Sequence, residues 1–245
     1  MRARRRGIYL LPNLFTTGCL FCGFYAVTAA MNDRFETAAL LVFTAMVMDG
    51  LDGRVARLTN TQTAFGAEYD SLSDMVSFGM SPALVMYLWS LSTLSRLGWF
   101  AAFVYTAAAA LRLARFNTQI GVEDKRYFQG LPSPSAAAVV VGFIWMSETY
   151  GLNGEAMRYV AVALTTVTAL LMVSNIRYYS FKEVDVRGRV PFMVVILVML
   201  VFAIVFTNPQ LMLFVIFAGY AVSGPLMTLI LLQRHRIRKR RRTGS

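Results

Sequence analysis

Long apolar runs alternate with short polar breaks along almost the whole chain. A run of about 20 apolar residues is long enough to cross a bilayer as a helix. Eight such segments can be drawn, at about 8–31, 35–57, 71–91, 97–117, 133–150, 156–175, 190–207 and 209–232. Prolines mark several of their ends: Pro12 near the first start, Pro132 and Pro134 at the entry to the fifth, and Pro191 at the start of the seventh. Proline is tolerated in the first turn of a helix. Asn208-Pro209 predicts a very tight turn into the last span. The third span is the least regular, because Asp70 and Asp74 fall in its first turns. The expected fold is all-α: a polytopic membrane helical bundle of about eight transmembrane helices. Residues 1–245 would form one integral membrane domain, with its core at about 8–190 and a basic tail at 233–245.

Composition supports that pattern. Of 245 residues, 57% are apolar and 15% are charged, whereas a soluble domain carries about a quarter charged residues. A soluble globular domain is therefore excluded. With both termini cytoplasmic, every Lys and Arg of the 24 except Arg34, Arg96 and Arg158 falls on the cytoplasmic side. The positive-inside rule then favours that orientation and an even number of spans. The opening Arg2, Arg4, Arg5 and Arg6 before an apolar run resembles a signal peptide. The run from Ile8 to about Met31 is longer than a signal h-region, so a retained first span is expected. Arg234 to Arg242 beside the last span is expected to contact anionic membrane lipids rather than nucleic acid.

Cys19 and Cys22 form a C-x-x-C inside the first run, with no second pair or nearby His to complete a metal site, and read as packing residues. The single histidine, His235, lies in the basic tail, which excludes histidine chemistry within the membrane domain.

Against this apolar background, one stretch concentrates charge: Asp49, Asp52, Gly53, Arg54 and Arg57, then Gly66, Glu68, Asp70 and Asp74. Charge at membrane depth is costly and faces a bundle interior or a wet cavity. Asp49 and Asp52 are three apart and share a helix face; Asp70 and Asp74, four apart, share another. Gly53 allows a ligand to approach the backbone. Four converging carboxylates repel one another unless protonated or bound to divalent cations. All-oxygen ligands suit Mg²⁺, Mn²⁺ or Ca²⁺. Two such ions form a clamp for phosphoryl chemistry, and Arg57 adds a cation for a phosphate. The competing reading makes these acids structural ion pairs with Arg54 or Arg57. Arg54 is expected at the interface, and Glu68 near the site, near a headgroup or in solvent.

The order Asp49-x2-Asp52-Gly53-x2-Ala56-Arg57-x8-Gly66-x3-Asp70-x3-Asp74 resembles the signature of the CDP-alcohol phosphotransferases. The resemblance implies a membrane enzyme with two divalent cations, Mg²⁺ or Mn²⁺ or else Ca²⁺, which displaces CMP from a CDP-linked lipid by an alcohol. It implies that Asp49 and Asp70 bind both metals, that Asp52 binds one, and that Asp74 binds the second and acts as general base. Asn13, Thr17, Gly53, Arg57 and Thr63 would contact the CDP moiety.

The segments 12–17, 70–83, 112–117 and 128–134 resemble the phosphatidylserine synthase branch of that family. The Pro and Lys that a phosphatidylglycerophosphate synthase carries around its last two aspartates are absent from 70–74. This likeness implies CDP-diacylglycerol and L-serine as substrates, CMP as leaving group, and a homodimer. It also makes the serine-rich run after Asp70 a pointer to serine.

Arg112 and Arg115, three apart, suit a serine carboxylate or a lipid phosphate, or else anchor the span at the cytoplasmic face. Asn117 would hydrogen-bond the amino acid or end its helix. Tyr178, Tyr179 and Phe181 are expected in an interfacial belt, and Thr106 to Ala110 in tight helix packing. Two alternatives stay open: another acceptor or donor within the family (glycerol 3-phosphate, inositol, an archaeal ether lipid), or a cation transporter using the carboxylates as an ion path.

Overall fold

The computed structural model describes residues 10–59, 61, 63–119, 127–179 and 192–243. The charges at 2–6, 125–126 and 182–189 and residue Phe181 therefore lie outside the described residues. Of the basic tail, only the helical backbone is described. Nine α-helices account for the described chain: α1 Leu10–Ala30, α2 Phe35–Thr59, α3 Ala64–Asp74, α4 Ser81–Trp89, α5 Ser95–Gln119, α6 Ser133–Thr149, α7 Arg158–Val173, α8 Phe192–Thr207 and α9 Pro209–Thr243. A π-helical segment, Met75–Met80, joins α3 to α4 without a break. A 3-10 turn, Leu91–Leu94, leads into α5.

The described chain is helical as expected, with one small addition. Two short strands, β1 Tyr127–Gln129 and β2 Arg177–Tyr179, pair antiparallel with Phe128 opposite Tyr178. Gly130 follows at φ +76°, where a Cβ would lie 2.2 Å from the Met172 carbonyl oxygen. Its N–H donates to Ile176 O at 2.8 Å, and Leu131 N–H to Leu171 O at 3.0 Å. The ladder thus ties the start of α6 to the end of α7. It also corrects Tyr178, which is buried rather than in an interfacial belt: its hydroxyl donates to Ala221 O at 2.9 Å in α9.

Three described helical segments are long and apolar enough to cross a membrane: Leu11–Ala30, Leu91–Thr118 and Pro209–Ile230. The other expected spans are interrupted or shorter. Asp49, Asp52, Arg54 and Arg57 charge the end of α2, the third passes through the π segment with Asp70 and Asp74 before it, and α6, α7 and α8 have 17, 16 and 16 residues. Large apolar side chains point outward, among them Leu14, Phe21, Phe24, Met199 and Phe206, as expected of a surface that meets lipid rather than water. The core gathers on α6, whose residues from Ala136 to Trp145 are all buried and which packs against α2, α4, α7 and α9.

Small residues set the helix spacing. α1 and α2 form an antiparallel hairpin through Ala26, Ala29 and Ala30 against Ala38, Ala39, Val42 and Ala45, all buried. Without a hydrophobic drive between helices in lipid, close approach of small residues supplies the packing energy. Cys19 and Cys22 are buried and unbonded to each other, in keeping with a packing role.

A hydroxyl ladder then fixes the third helical rod to α1. Ser73 Oγ donates to Thr16 O at 3.1 Å, Ser77 Oγ to Cys19 O at 3.0 Å, and Ser81 Oγ to Gly23 O at 2.7 Å. The serines recur every four residues, so they line one face of the rod. The π turn follows from Pro82, which has no N–H to continue the helical ladder. The Phe78 carbonyl that would have accepted it instead accepts the buried Tyr105 hydroxyl at 3.2 Å from α5.

At Gly23 the two backbones nearly touch, and a Cβ would lie 2.5 Å from Ser77 Oγ and 2.7 Å from Ser77 Cα. Gly23→Ala is therefore expected to destabilise the fold by about 1–3 kcal/mol, read as a lowered unfolding midpoint in lipid nanodiscs. An unchanged midpoint would show that the rod is not seated on α1 in this way.

Candidate active site

Two helices bring the acids together. Asp49 lies in α2, where the chain has turned back from α1, and Asp70 and Asp74 lie on one face of α3. Because α3 begins at Ala64, these two acids sit in its second and third turns, rather than in the first turns of the third span. Thr63 caps α3: its Oγ1 accepts the Gly66 N–H at 3.0 Å, the bond expected of a threonine N-cap.

Carboxylate oxygens of Asp49, Asp70 and Asp74 all lie within 4.8 Å of one another. Asp74 Oδ1 is buried and has no hydrogen-bond partner. An orphaned carboxylate oxygen inside a bundle is expensive, and two like-charged neighbours raise that cost. A divalent cation held by hard oxygen ligands removes both penalties. The donor set, oxygens without nitrogen or sulfur, fits such an ion.

Asp52, expected to make the fourth ligand, stands apart from this trio. It is buried, and its Oδ2 accepts the Thr16 hydroxyl at 2.8 Å. Thr16 therefore has two functions: its hydroxyl orients Asp52, and its carbonyl anchors Ser73. Its residue type does not single it out, because threonine in an apolar helix ordinarily bonds its own helix, as Thr16 also does to Pro12 O at 3.1 Å. The available signal was its spacing, one turn after Pro12 on a helix facing the charged stretch.

Beside the trio lies a cleft of about 240 Å³, whose lining includes Asn13, Thr16, Asp52, Gly53, Thr63 and Asp70. Nothing lies within 4 Å of where a Gly53 Cβ would stand, so the backbone there is open to a ligand. Thr17 sits next to the cleft, donating to Asn13 O at 2.7 Å and bonding the Tyr69 hydroxyl at 3.0 Å. Of the residues expected around a nucleotide, the cleft gathers Asn13, Gly53 and Thr63. Arg57 is exposed, one turn past Gly53, and does not line the cleft.

The pair Arg112 and Arg115 is split. Arg112 turns inward, within electrostatic reach of Asp74 and Asp49, and its Nη1 donates to Ser133 Oγ at 2.6 Å. Arg115 turns toward the end of α7, where Nη1 donates to Val173 O and Asn175 Oδ1, each at 3.2 Å. Asn117 Nδ2 donates to Ser71 Oγ at 3.0 Å, linking α5 to the turn between Asp70 and Asp74. The serine-rich run after Asp70 is therefore not a pocket for serine: Ser73, Ser77 and Ser81 are buried and spent on α1, and Ser71 alone among the four bonds toward α5.

A family model described as CDP-alcohol phosphatidyltransferase matches residues 9–167. A Helicobacter pylori protein named CDP-diacylglycerol–serine O-phosphatidyltransferase is 36% identical over 225 residues, covering 92% of this chain and 93% of that protein. A Mycobacterium leprae protein of the same name is 32% identical over 230 residues, covering 91% of this chain and 76% of its own. A Bacillus subtilis protein, again of that name, is 32% identical over 176 residues, covering 71% of this chain and 92% of its own.

A cation bound at 100 times its dissociation constant should raise stability by about 2.7 kcal/mol. Titrating Mn²⁺ against the unfolding midpoint is expected to show that gain in the wild type and to lose it in Asp49→Asn. An equal gain in both proteins would place the cation elsewhere.

Proposed function

The chain belongs to the CDP-alcohol phosphatidyltransferase family, and from that premise we propose that it carries the phosphatidyl group from CDP-diacylglycerol to the hydroxyl of L-serine. The products are phosphatidylserine and CMP. The observation that carries this reading is the carboxylate trio with the orphaned Asp74 oxygen, set beside the cleft. The names of relatives that match over most of this chain supply the donor and the acceptor.

The residues divide the work. Asn13, Gly53, Thr63 and Arg57 receive the cytidine diphosphate end of the donor, in and beside the cleft. Asp49, Asp70 and Asp74 would hold two divalent cations, Mg²⁺ or Mn²⁺, with Asp52, bonded by Thr16 and lining the cleft, as the further carboxylate beside them. When bound, the cations supply charge neutralisation of the diphosphate and of the departing CMP. Asp74 takes the proton from the serine hydroxyl. That oxygen bonds the phosphorus bearing the diacylglycerol, and the bond from this phosphorus to the bridging oxygen breaks, releasing CMP. Arg112 meets the carboxylate of the incoming serine.

The lipid donor requires a membrane site. Charge asymmetry along the chain supports eight spans in one domain, both termini in the cytoplasm and the acids at the cytoplasmic face of the cell membrane. The basic tail then rests on anionic lipid, and the family likeness supports a homodimer.

The test is a purified protein in lipid, supplied with CDP-diacylglycerol, Mn²⁺ and labelled serine, inositol or glycerol 3-phosphate in separate reactions. CMP release coupled to labelled lipid is expected with serine. Chelation should abolish it, and added Mn²⁺ should restore it. Lipid formed from inositol but not serine would overturn the acceptor. Metal-driven ion flux without CMP release would favour a transporter. Loss of a general base costs about 10²–10⁴-fold, so Asp74→Asn is expected to lower kcat by that factor; unchanged turnover would remove Asp74 from that role.

A further inference from the structure

Two buried polar atoms near the acid trio lack partners: Asp74 Oδ1, an acceptor, and Arg112 Nε, a donor. They belong to helices α3 and α5, and Arg112 is within electrostatic reach of both Asp74 and Asp49. What leaves Arg112 in this state is Ser133. Its hydroxyl oxygen accepts Nη1 at 2.6 Å, and Ser133 is completely buried. Nη1 is the guanidinium nitrogen remote from the Nε edge. A bond there orients the group while leaving the side-on edge that binds a carboxylate in a fork.

Ser133 is itself held firmly. It is the first residue of α6, directly after Pro132 and the Gly130 turn that the ladder ties to α7. Arg115, three residues on, is engaged by Val173 O and Asn175 and so is committed to the scaffold.

We propose that Ser133 is a positioning residue for acceptor selection, holding Arg112 so that its free edge faces the acid trio. An acceptor is then taken when it carries a carboxylate for Arg112 and a hydroxyl for Asp74 on one short skeleton. This rests on the reading above of the chain as a serine-accepting transferase. It adds a residue whose hydroxyl touches neither substrate, yet decides which hydroxyl compounds are accepted.

The experiment uses the full chain in lipid nanodiscs with CDP-diacylglycerol and compares serine with ethanolamine, which keeps the amine and hydroxyl but lacks the carboxylate. A hydrogen bond to a charged group is worth about 10–100-fold in equilibrium terms. Ser133→Ala is therefore expected to raise KM for serine about tenfold or more and to shrink the preference for serine over ethanolamine by the same factor. KM for CDP-diacylglycerol should stay within about twofold in this comparison. Ser133→Thr, which keeps the hydroxyl, should restore the serine KM. In the wild type, 3-hydroxypropionate should compete with serine and ethanolamine should not, a measurement that does not depend on the variant folding. An unchanged serine KM in Ser133→Ala, an equal loss with both acceptors, or competition by ethanolamine alone would overturn the proposal. Absence of serine turnover in the wild type would overturn the function as well; serine turnover with an indifferent Ser133→Ala overturns the positioning role alone.

Discussion

Three carboxylates held within 4.8 Å inside an apolar bundle are the constraint on which the rest of the architecture depends. Two unit charges about 4 Å apart repel by roughly 4 kcal/mol at the effective dielectric of a protein, and three acids make three such pairs. The hydroxyl ladder that seats the third rod on α1 offers three bonds, and interhelical bonds of this kind are worth about 0.6 kcal/mol each. The ladder cannot balance the repulsion. Packing of small residues holds the helices together, and a divalent cation removes the repulsion at its source. The scaffold thus sets geometry, while the ligand set obtains its stability from what it binds.

That division explains what each helix contributes. α1 carries no acid, yet it meets both α2 and the rod: Asn13 and Thr16 face the cleft, Thr16 O and Cys19 O receive the rod's serines, and Gly23 lets the rod approach. The π turn at Met75–Met80 is the local adjustment that lets one continuous rod present Asp70 and Asp74 at one end and pass Pro82 at the other. From α5 comes Arg112, within electrostatic reach of Asp74 and Asp49 and oriented by Ser133 of α6.

Much of this was legible in the sequence, for identifiable reasons. Helical spacing paired Asp70 with Asp74 and Asp49 with Asp52, and the cost of charge in an apolar run pointed the two pairs toward one site; Asp49, Asp70 and Asp74 do converge. The tight turn at Asn208-Pro209 was legible as well, and there the Asn208 side chain accepts the Leu211 N–H at 3.3 Å. The departures share a cause. Asp52, three residues from Asp49, was grouped with it by spacing, but its partner Thr16 lies 36 residues away. Arg112 and Arg115 share a helix face, yet their long side chains reach partners on α6 and α7 that no local spacing encodes. The serines after Asp70 looked like substrate chemistry because hydroxyls in a membrane helix are polar; burial against α1 backbone carbonyls makes them structural. The short β ladder and the burial of Tyr178 depend on contacts between segments some 50 residues apart in the chain.

The most direct test of the account is anomalous scattering from crystals of the protein grown with Mn²⁺ and CDP-diacylglycerol. The account predicts manganese peaks within coordination distance of Asp49, Asp70 and Asp74, next to the donor's diphosphate in the cleft bordered by Gly53 and Thr63. Manganese bound elsewhere, with these three carboxylates paired to arginines or protonated, would contradict it.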